Sequence, residues 1–438
     1  MSAQQATSYP GLLLYRVIPW FPLPFVLLRL WWRGRRDPTY RPRWQERFGV
    51  YAALPSQGAV WFHTVSAGET IAAAPTIRAM TADQGPVLVT TMTPTGSERV
   101  ASLLGDAVAH CYAPYDFTYA VRRFLTHVKP RALILMETEI WPNLILEAKA
   151  RGIPVMLVNA RLSEQSARGY RRFRWLSRRV LECFDLIACQ TAEHAQRFIE
   201  LGVNAERVQT VGNVKYDLDL PVDVQERAAE LVQPQRRYWI AASTHPGEEE
   251  LVLQAHLAAL KSHPRLTLLL APRHPNRADE LASLLDRLTQ SASVTWCRYG
   301  DWAAQTEPTA GDCSIVLIDE MGVLMPLFLL SEVAFVGGSL VPRGGHNPIE
   351  PASLGTPVIT GPHDFNFSQV YADLKAANAC QQVSEASLTS VLVELLNDSA
   401  AREALAAAAG EVVALKRGAR QRTGGMIDQM LSKQTLGG

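Results

Sequence analysis

Paired cysteines are missing from this chain. Its six cysteines (Cys111, Cys183, Cys189, Cys297, Cys313 and Cys380) are scattered over 438 residues, and none forms a C-x-x-C pair. This excludes a disulfide framework and a cysteine zinc site, and it fits the reduced core thiols of a cytoplasmic protein. The ten histidines show no metal-ligand spacing, so no metal site and no cofactor are expected. An excess of one charge is missing too. The formal net charge of +1 gives no global attraction to nucleic acid. No internal repeat or low-complexity tract is visible. What is present is 47% hydrophobic and 19% charged residues, the balance of a globular protein with some membrane-facing character. The length suffices for two domains, each with its own core.

The N-terminus stands apart. Residues Gly11 to Trp32 are nearly all apolar, broken by Arg16 and Arg29, and no acid precedes Asp37. A basic cluster follows: Arg33, Arg35, Arg36, Arg41 and Arg43. The run approaches the length of a membrane span, but Pro19, Pro22 and Pro24 interrupt it. No small-residue cleavage site argues for removal. Three readings stay open: a signal anchor, a kinked helix lying in the interface, or a helix packed on the protein's own core. The first two hold a cytoplasmic body at an anionic membrane.

After Gly58, apolar runs of strand length alternate with helical stretches. AVWFH, PVLVTT, AVAHCYA, ALILMET, PVMLVNA and LIACQT form one series between Ala59 and Thr191. YWIAAST, LTLLLAP, VTWCR, SIVLID, EVAFVGG and PVIT form a second between Tyr238 and Thr360. They show little polar alternation, as expected of parallel strands covered on both faces. Val208 to Pro221 reads as the crossing between them. Two successive βα series predict two doubly wound domains facing a cleft.

The most informative stretch is His346 to Pro362, HNPIEPASLGTPVITGP. A glycine turn (Gly337, Gly338, Gly344, Gly345) separates a buried strand from a short helical piece carrying Glu350. A strand, a turn and a helix N-terminus would bring free backbone N–H groups to one point, a site for a phosphate. A carboxylate one turn into the helix suits a ribose diol. Glycines that merely let the chain bend are the plainer reading. Other polar loops follow strand ends: HTVSAGET, TTMTPTGSERV, ETEIWPN, NARLSEQSARGY, STHPGEEE, APRHPNR and DEMGVL. Taken singly, Glu69 and Glu139 could be helix-capping acids, Arg161 and Arg168 solvated charges, and Arg273 a surface residue. Together they mark one edge of each sheet.

HTVSAGET, TTMTPTGSERV, ETEIWPN, NARLSE, GNVKYD, APRHPNR and GGHNPIEPA, in that order, resemble the 3-deoxy-D-manno-octulosonic acid (Kdo) transferases of Gram-negative bacteria. The resemblance covers nearly the whole chain. It implies a GT-B fold of two Rossmann-like domains with an N-terminal membrane-associated segment. It also implies an inverting transfer of Kdo from CMP-Kdo to a lipid A precursor at the cytoplasmic face of the inner membrane. The catalytic base falls on Glu69, and groups assisting the transition state fall on Glu139 and Lys215. CMP contacts fall on Pro272, Arg273, Met321, Gly322, Val323, Asn347, Pro348, Ile349 and Glu350. One departure is DEMGVL, where the family commonly has D-T-M-G-E-L; Glu320 and Val323 put side-chain contacts there in doubt.

The chemistry agrees with the resemblance. A nucleoside monophosphate is a good leaving group, so cations at the phosphate can serve without a metal. The acceptor hydroxyl needs a base. Arginines from Arg33 to Arg43 and from Arg168 to Arg179 suit an anionic glycolipid and an anionic inner-membrane surface. The expected domains are a 1–48 anchor, a 49–215 acceptor domain, a 216–236 linker, a 237–408 CMP-sugar domain and 409–438 closing helices. The alternatives are another GT-B sugar-nucleotide enzyme, such as a UDP-sugar transferase or 2-epimerase, or an inactive membrane-bound module.

Overall fold

The computed structural model describes residues 38–51, 57–233, 235–291, 294–304 and 313–435, with residues 28, 32, 34 and 35. The expected membrane segment, Gly11 to Trp32, lies almost wholly outside the described residues. Among the described residues, no helix is long and apolar enough to cross a membrane.

The chain divides into two compact units. Unit 1 comprises residues 1–217 and 417–438, and unit 2 comprises residues 218–416. Unit 1 holds a seven-stranded sheet: β1 (Val60–His63), β2 (Val87–Thr91), β3 (Ala109–Tyr112), β4 (Ala132–Met136), β5 (Val155–Ala160), β6 (Leu186–Cys189) and β7 (Val208–Thr210). Every pairing is parallel, in the order β3-β2-β1-β4-β5-β6-β7. The residues Val208–Thr210, read from sequence as part of a crossing, instead form the edge strand of this sheet.

Strands β1, β2 and β4 are buried along their whole length. Their alternate faces feed two cores, one around Trp61, Leu133 and Phe124, the other around Phe62, Ile134 and Ile77. Two-sided burial is why the sequence shows apolar runs rather than alternation. The second core also takes Met426, Ile427, Met430 and Leu431. These come from the C-terminal helix Ala419–Thr435, so the chain ends by returning to unit 1. The carboxylate of Asp217 fastens that return, accepting the backbone N–H groups of Gly418 and Arg420 at the helix start.

Unit 2 repeats the plan. Its sheet contains β8 (Arg237–Thr244), β9 (Leu266–Pro272), β10 (Trp296–Arg298), β11 (Ile315–Leu317), β12 (Ala334–Val336), β13 (Val358–Thr360) and β14 (Gln381–Gln382). The order is β10-β11-β9-β8-β12-β13-β14, again wholly parallel. The stretch expected to be a linker carries the helix Val224–Leu231, whose Leu231 packs into a unit 2 core with Tyr238 and Ile240.

Chain direction reverses across the sheet between β1 and β4 in unit 1, and between β8 and β12 in unit 2. In open parallel sheets, the crevice at the carboxyl end of such a pair is where ligands bind.

Candidate functional site

In unit 1 the loop after β1 leads into the helix Ala67–Asp83, with Ser66 as N-cap. The Ser66 hydroxyl accepts the Glu69 backbone N–H at 3.4 Å and donates to Glu69 Oε1 at 2.8 Å. The Val65 backbone N–H donates to Glu69 Oε2 at 2.9 Å. Ser66 is the N-cap, and Glu69, three residues on, reaches back to the Val65 N–H, a variant of the capping box; Glu69 thus helps cap the helix without being its N-cap. That role does not exhaust the residue. Burial, joined by the nearby Glu139 carboxylate, pushes the Glu69 pKa up to about 7 against those two hydrogen bonds. A half-buried carboxyl poised there can exchange protons near neutrality.

The neighbouring strand end brings two more carboxylates. Glu137 takes the strained left-handed conformation, φ 50°, as does Asn159 at the end of β5, φ 51°. The Glu137 side chain is only 7% exposed. It bridges two cations, Arg161 Nε at 2.9 Å and Lys215 Nζ at 3.2 Å. Glu139 accepts a hydrogen bond from Trp141 Nε1 at 2.7 Å. Its pKa is raised by burial and by Glu137, and lowered by Trp141 and Arg161. The Trp141 ring packs edge-on against His63, 4.8 Å between centroids. Asn159 Oδ1 accepts the Val214 N–H at 3.2 Å, and Asn213 Oδ1 accepts the Lys215 N–H at 3.1 Å. Two asparagines thus hold the loop that presents Lys215.

The structure brings Glu69, Glu139 and Lys215 to one edge of the unit 1 sheet. It also adds residues that sequence reasoning gave no role, Glu137, Ser66 and Trp141, and it pairs Arg161, a solvated charge on its plainer reading, with Glu137. Ser66 was readable from the Ser-x-x-Glu spacing. Nothing in E-T-E says that its first glutamate, not its second, holds the lysine.

Unit 2 differs from the expectation in its donors. The glycine turn was expected to offer free backbone N–H groups to a phosphate. Instead Gly337 donates to Ala242, Gly345 to Gly338, and His346 to Gly337. Gly338, Ser339 and Leu340 donate to the Glu248 carboxylate at 2.7, 3.0 and 2.9 Å, with His245 donating as well at 3.0 Å. Buried amides seek partners, and one buried acid has claimed them. The helix that follows, Ile349–Ser353, is five residues long, and its first N–H donates to Asn347 Oδ1. Among the described residues, the N–H groups of Gly344 and Asn347 stay unengaged, so an anion here can meet those as well as side chains.

Arg273 follows the buried Pro272 at the end of β9. Among the described residues, its guanidinium has no hydrogen bond or ion pair with the protein. It is close enough to Glu350 to lower that carboxyl's pKa, which burial raises. Asn347 Nδ2 donates to Glu350 Oε1 at 3.0 Å. Pro348 and Ile349 are buried beneath the pair. In DEMGVL, Met321 is 62% exposed while Val323 packs with Leu327 and Phe328 in the core. The Val323 side chain therefore supports the fold, which leaves its backbone for any ligand contact. Gly322 takes φ 81°. All these loops leave the carboxyl ends of parallel strands. Among the described residues, no group of three or more His, Cys, Asp or Glu is arranged to hold a metal ion.

Of the five N-terminal arginines assigned to lipid, Arg41 and Arg43 are engaged within unit 1 by contacts of known partner. Arg41 donates to the Gly34 carbonyl, and Arg43 pairs with Glu46 and donates to the His110 carbonyl. Arg33 and Arg36 lie outside the described residues. The helices Glu164–Arg172 and Arg174–Leu181 expose Phe173 and Trp175 among Arg168, Arg172 and Arg174.

Comparison with known proteins was consistent across sequence and fold. The family model for 3-deoxy-D-manno-octulosonic-acid transferase (kdotransferase) matches residues 42–218. The 3-deoxy-D-manno-octulosonic acid transferase of Haemophilus influenzae is 39% identical over 408 residues, covering 91% of this chain and 94% of that protein. The enzyme of the same name from Bordetella pertussis is 36% identical over 419 residues, covering 91% and 95%. A glycosyltransferase structure from Rickettsia africae aligns with a TM-score of 0.55 at 11% identity, over 86% of this chain and 99% of that one. That last likeness concerns the fold alone.

Proposed function

The chain belongs to the 3-deoxy-D-manno-octulosonic acid (Kdo) transferase family, and from that premise we propose that it moves Kdo from CMP-Kdo to a lipid A precursor, with Glu69 as general base. It is a glycosyltransferase of lipopolysaccharide core biosynthesis. In this reading it has the GT-B fold. Unit 1 serves the acceptor and unit 2 holds the nucleotide. The Glu69 carboxylate takes the proton of the acceptor hydroxyl as its oxygen bonds to the anomeric carbon. The bond from that carbon to the phosphate oxygen breaks on the opposite face, which inverts the centre, and CMP departs with the electron pair. Arg273 answers the phosphate charge, and Glu350 with Asn347 suits the ribose hydroxyls. Glu139 and Lys215 assist the transition state, with Lys215 oriented by Glu137.

The observation that carries this reading is the state of Glu69. It is held by two hydrogen bonds, half-buried, and raised to about 7 at the switch point of its sheet. A general base is most effective when its pKa lies near the working pH. An anionic acceptor and an anionic inner-membrane surface at the cytoplasmic face suit Arg168, Arg172 and Arg174 flanking exposed Phe173 and Trp175.

The test is product mass spectrometry with purified protein, CMP-Kdo and a tetra-acylated lipid A precursor. Masses raised by Kdo are expected, and their loss in Glu69→Gln. Transfer from a UDP-sugar but not from CMP-Kdo would move the chain to another donor.

A further inference from the structure

Beside Arg273 in unit 2 lie three imidazoles that neither the resemblance nor the reading above employs. His245 Nε2 and His346 Nε2 are 2.9 Å apart, a hydrogen-bond distance, with the rings nearly parallel at 11°. His274 meets His245 edge-on at 6.0 Å between centroids. Gly338 makes room for the pair. Its φ is 68°, and a Cβ there would lie 3.0 Å from His346 Cδ2. The Tyr371 hydroxyl donates to the His346 carbonyl, holding the backbone that carries that ring.

A hydrogen bond between two Nε2 atoms restricts the protons. One ring carries the Nε2–H and the other offers a lone pair, so both rings cannot be imidazolium at once. In the neutral pair, the accepting ring carries Nδ1–H and the donating ring has a bare Nδ1. One added proton goes to that bare Nδ1. Both rings then present N–H donors, and the pair carries one positive charge.

The surroundings keep this proton off while no ligand is bound. Burial lowers the His346 pKa to about 3, with Arg273, His245 and His274 adding to the shift. Burial lowers His245 to about 4, helped by His274, Arg343, Arg273 and Arg277. The charged groups around the pair come from five segments. Arg273, His274 and Arg277 follow β9, and Arg343 follows β12. Glu248 follows β8 but is occupied by four backbone N–H groups. Glu350 sits on the next helix, and Asp364, beyond β13, is tied to Lys375 at 2.7 Å. Arg277 is itself paired with the buried Glu249. The permanent charges that act most on the two imidazoles are those of Arg273, Arg277 and Arg343, and an anion bound beside them would offset that field.

We infer that the His245–His346 pair takes up one proton when the phosphate of a nucleoside monophosphate binds beside Arg273, and so positions the leaving group of the donor. This rests on the reading that unit 2 holds the nucleotide. A bound phosphate cancels the field of the arginines and supplies acceptors for the second Nδ1–H. The proton-bearing form is then favoured in the complex, and linkage requires nucleotide affinity to rise as pH falls. The same pair would let the proton go when CMP leaves.

The test is calorimetric titration of the full chain with CMP from pH 6 to 8, each point in two buffers of different ionisation enthalpy. Wild-type protein should take up more protons at pH 6.5 than His245→Asn or His346→Gln, by about half a proton or more. The affinity advantage of wild type over either variant should be about tenfold at pH 6 and shrink toward about twofold at pH 8. Equal proton counts in wild type and both variants would assign the uptake to the phosphate of CMP itself and overturn the inference. A pH-independent affinity ratio would do the same. Inorganic sulfate, which takes up no proton in this range, gives a version without variants: buffer-dependent heat supports the pair, and its absence on binding overturns it. If wild-type protein binds no CMP, the nucleotide site itself is wrong, a failure distinguishable from that of the pair.

Discussion

The first strand of each unit ends in a loop that carries Gly-Glu: Gly68–Glu69 after β1 and Gly247–Glu248 after β8. The two glutamates occupy corresponding places in the same topology, yet they do different things. Glu248 is fully buried and accepts four backbone N–H groups, as many as the lone pairs an ionised carboxylate offers. It has nothing left for a substrate. Glu69 is half-buried and accepts one backbone N–H and one hydroxyl, so it keeps lone pairs for an incoming proton. Their neighbours differ as well. Glu69 feels the carboxylates of Glu139 and Glu137, while Glu248 is governed by burial and its four backbone N–H groups. Hence a fold position decides where a carboxylate sits, and the number of donors aimed at it decides whether it is a latch or a base.

The largest expected effect tests the base. Glu69→Gln keeps the size and one accepted capping hydrogen bond, and its amide N–H can donate to Ser66 in place of the other, but it cannot take a proton. Turnover should fall at least about 100-fold, with CMP affinity unchanged in a direct titration. Turnover within a few-fold of wild type would end the distinction between the two glutamates.

The matching change in unit 2 should act on stability instead. Glu248→Ala strands four buried N–H groups, each costing about 1–3 kcal/mol when left unsatisfied. Partial relaxation and water entry offset some of this, leaving a loss of about 3 kcal/mol or more. Thermal unfolding would read it as a shift of several degrees. If Glu248→Ala melted like wild type but lost turnover as Glu69→Gln does, the assignments would be exchanged.

Arg273→Ala and Glu350→Ala should weaken the donor side without touching the base. Loss of a charged hydrogen-bond partner costs about 1.5–3 kcal/mol, or about 10–100-fold in CMP affinity. Calorimetry showing wild-type affinity in both variants would place the nucleotide outside unit 2's switch point.

Much of this comparison was legible in the sequence, and the illegible part has physical reasons. Runs such as ALILM and LTLLLAP announced parallel strands because both faces are covered, and all twelve expected runs became strands. Val208–Thr210 and Gln381–Gln382 escaped notice because short edge strands bury little and carry no apolar run. The glycine turn is a bend, as read, and most of the N–H groups expected to be free donors are engaged within the protein. Which acid would claim its amides depends on Glu248 being folded beside Gly338, ninety positions away in the chain. Glu137 and Glu139 differ by one strained residue, φ 50° at Glu137, which turns the first toward Lys215 and the second toward Trp141. Val323, which the resemblance placed among the CMP contacts with its side chain in doubt, packs that side chain in the core.

The pH dependence gives a moderate effect. With Glu69 raised to about 7, turnover should fall about tenfold per pH unit below that value and level off above it. Stability follows the opposite sign. The folded-state pKa lies above the ordinary carboxylate value of 4.5, so the folded protein keeps its proton longer than the unfolded chain. This site's contribution to stability therefore declines as pH rises from about 4.5 to about 7. Glu69→Gln removes that loss and should be at least as stable as wild type above pH 7. A variant that unfolds more readily at pH 8 than at pH 5, relative to wild type, would contradict the raised pKa.

The smallest expected effect isolates the feature that separates Glu69 from Glu248. Ser66 both caps the helix and donates to Glu69 Oε1. Ser66→Ala removes an N-cap, worth about 1 kcal/mol of stability. It also removes one of the two hydrogen bonds that favour the ionised carboxylate. Burial then acts with less opposition, and the base pKa should rise further. The acid limb of the turnover profile should move to higher pH, costing a few-fold in rate at pH 6.5 and little at pH 8.5. A purely structural role would lower the rate equally at every pH. Ser66→Thr keeps the hydroxyl and should restore the limb to its wild-type position. If the limb stays in place in Ser66→Ala, the serine serves the helix alone, and the pKa of Glu69 is set by burial and Glu139.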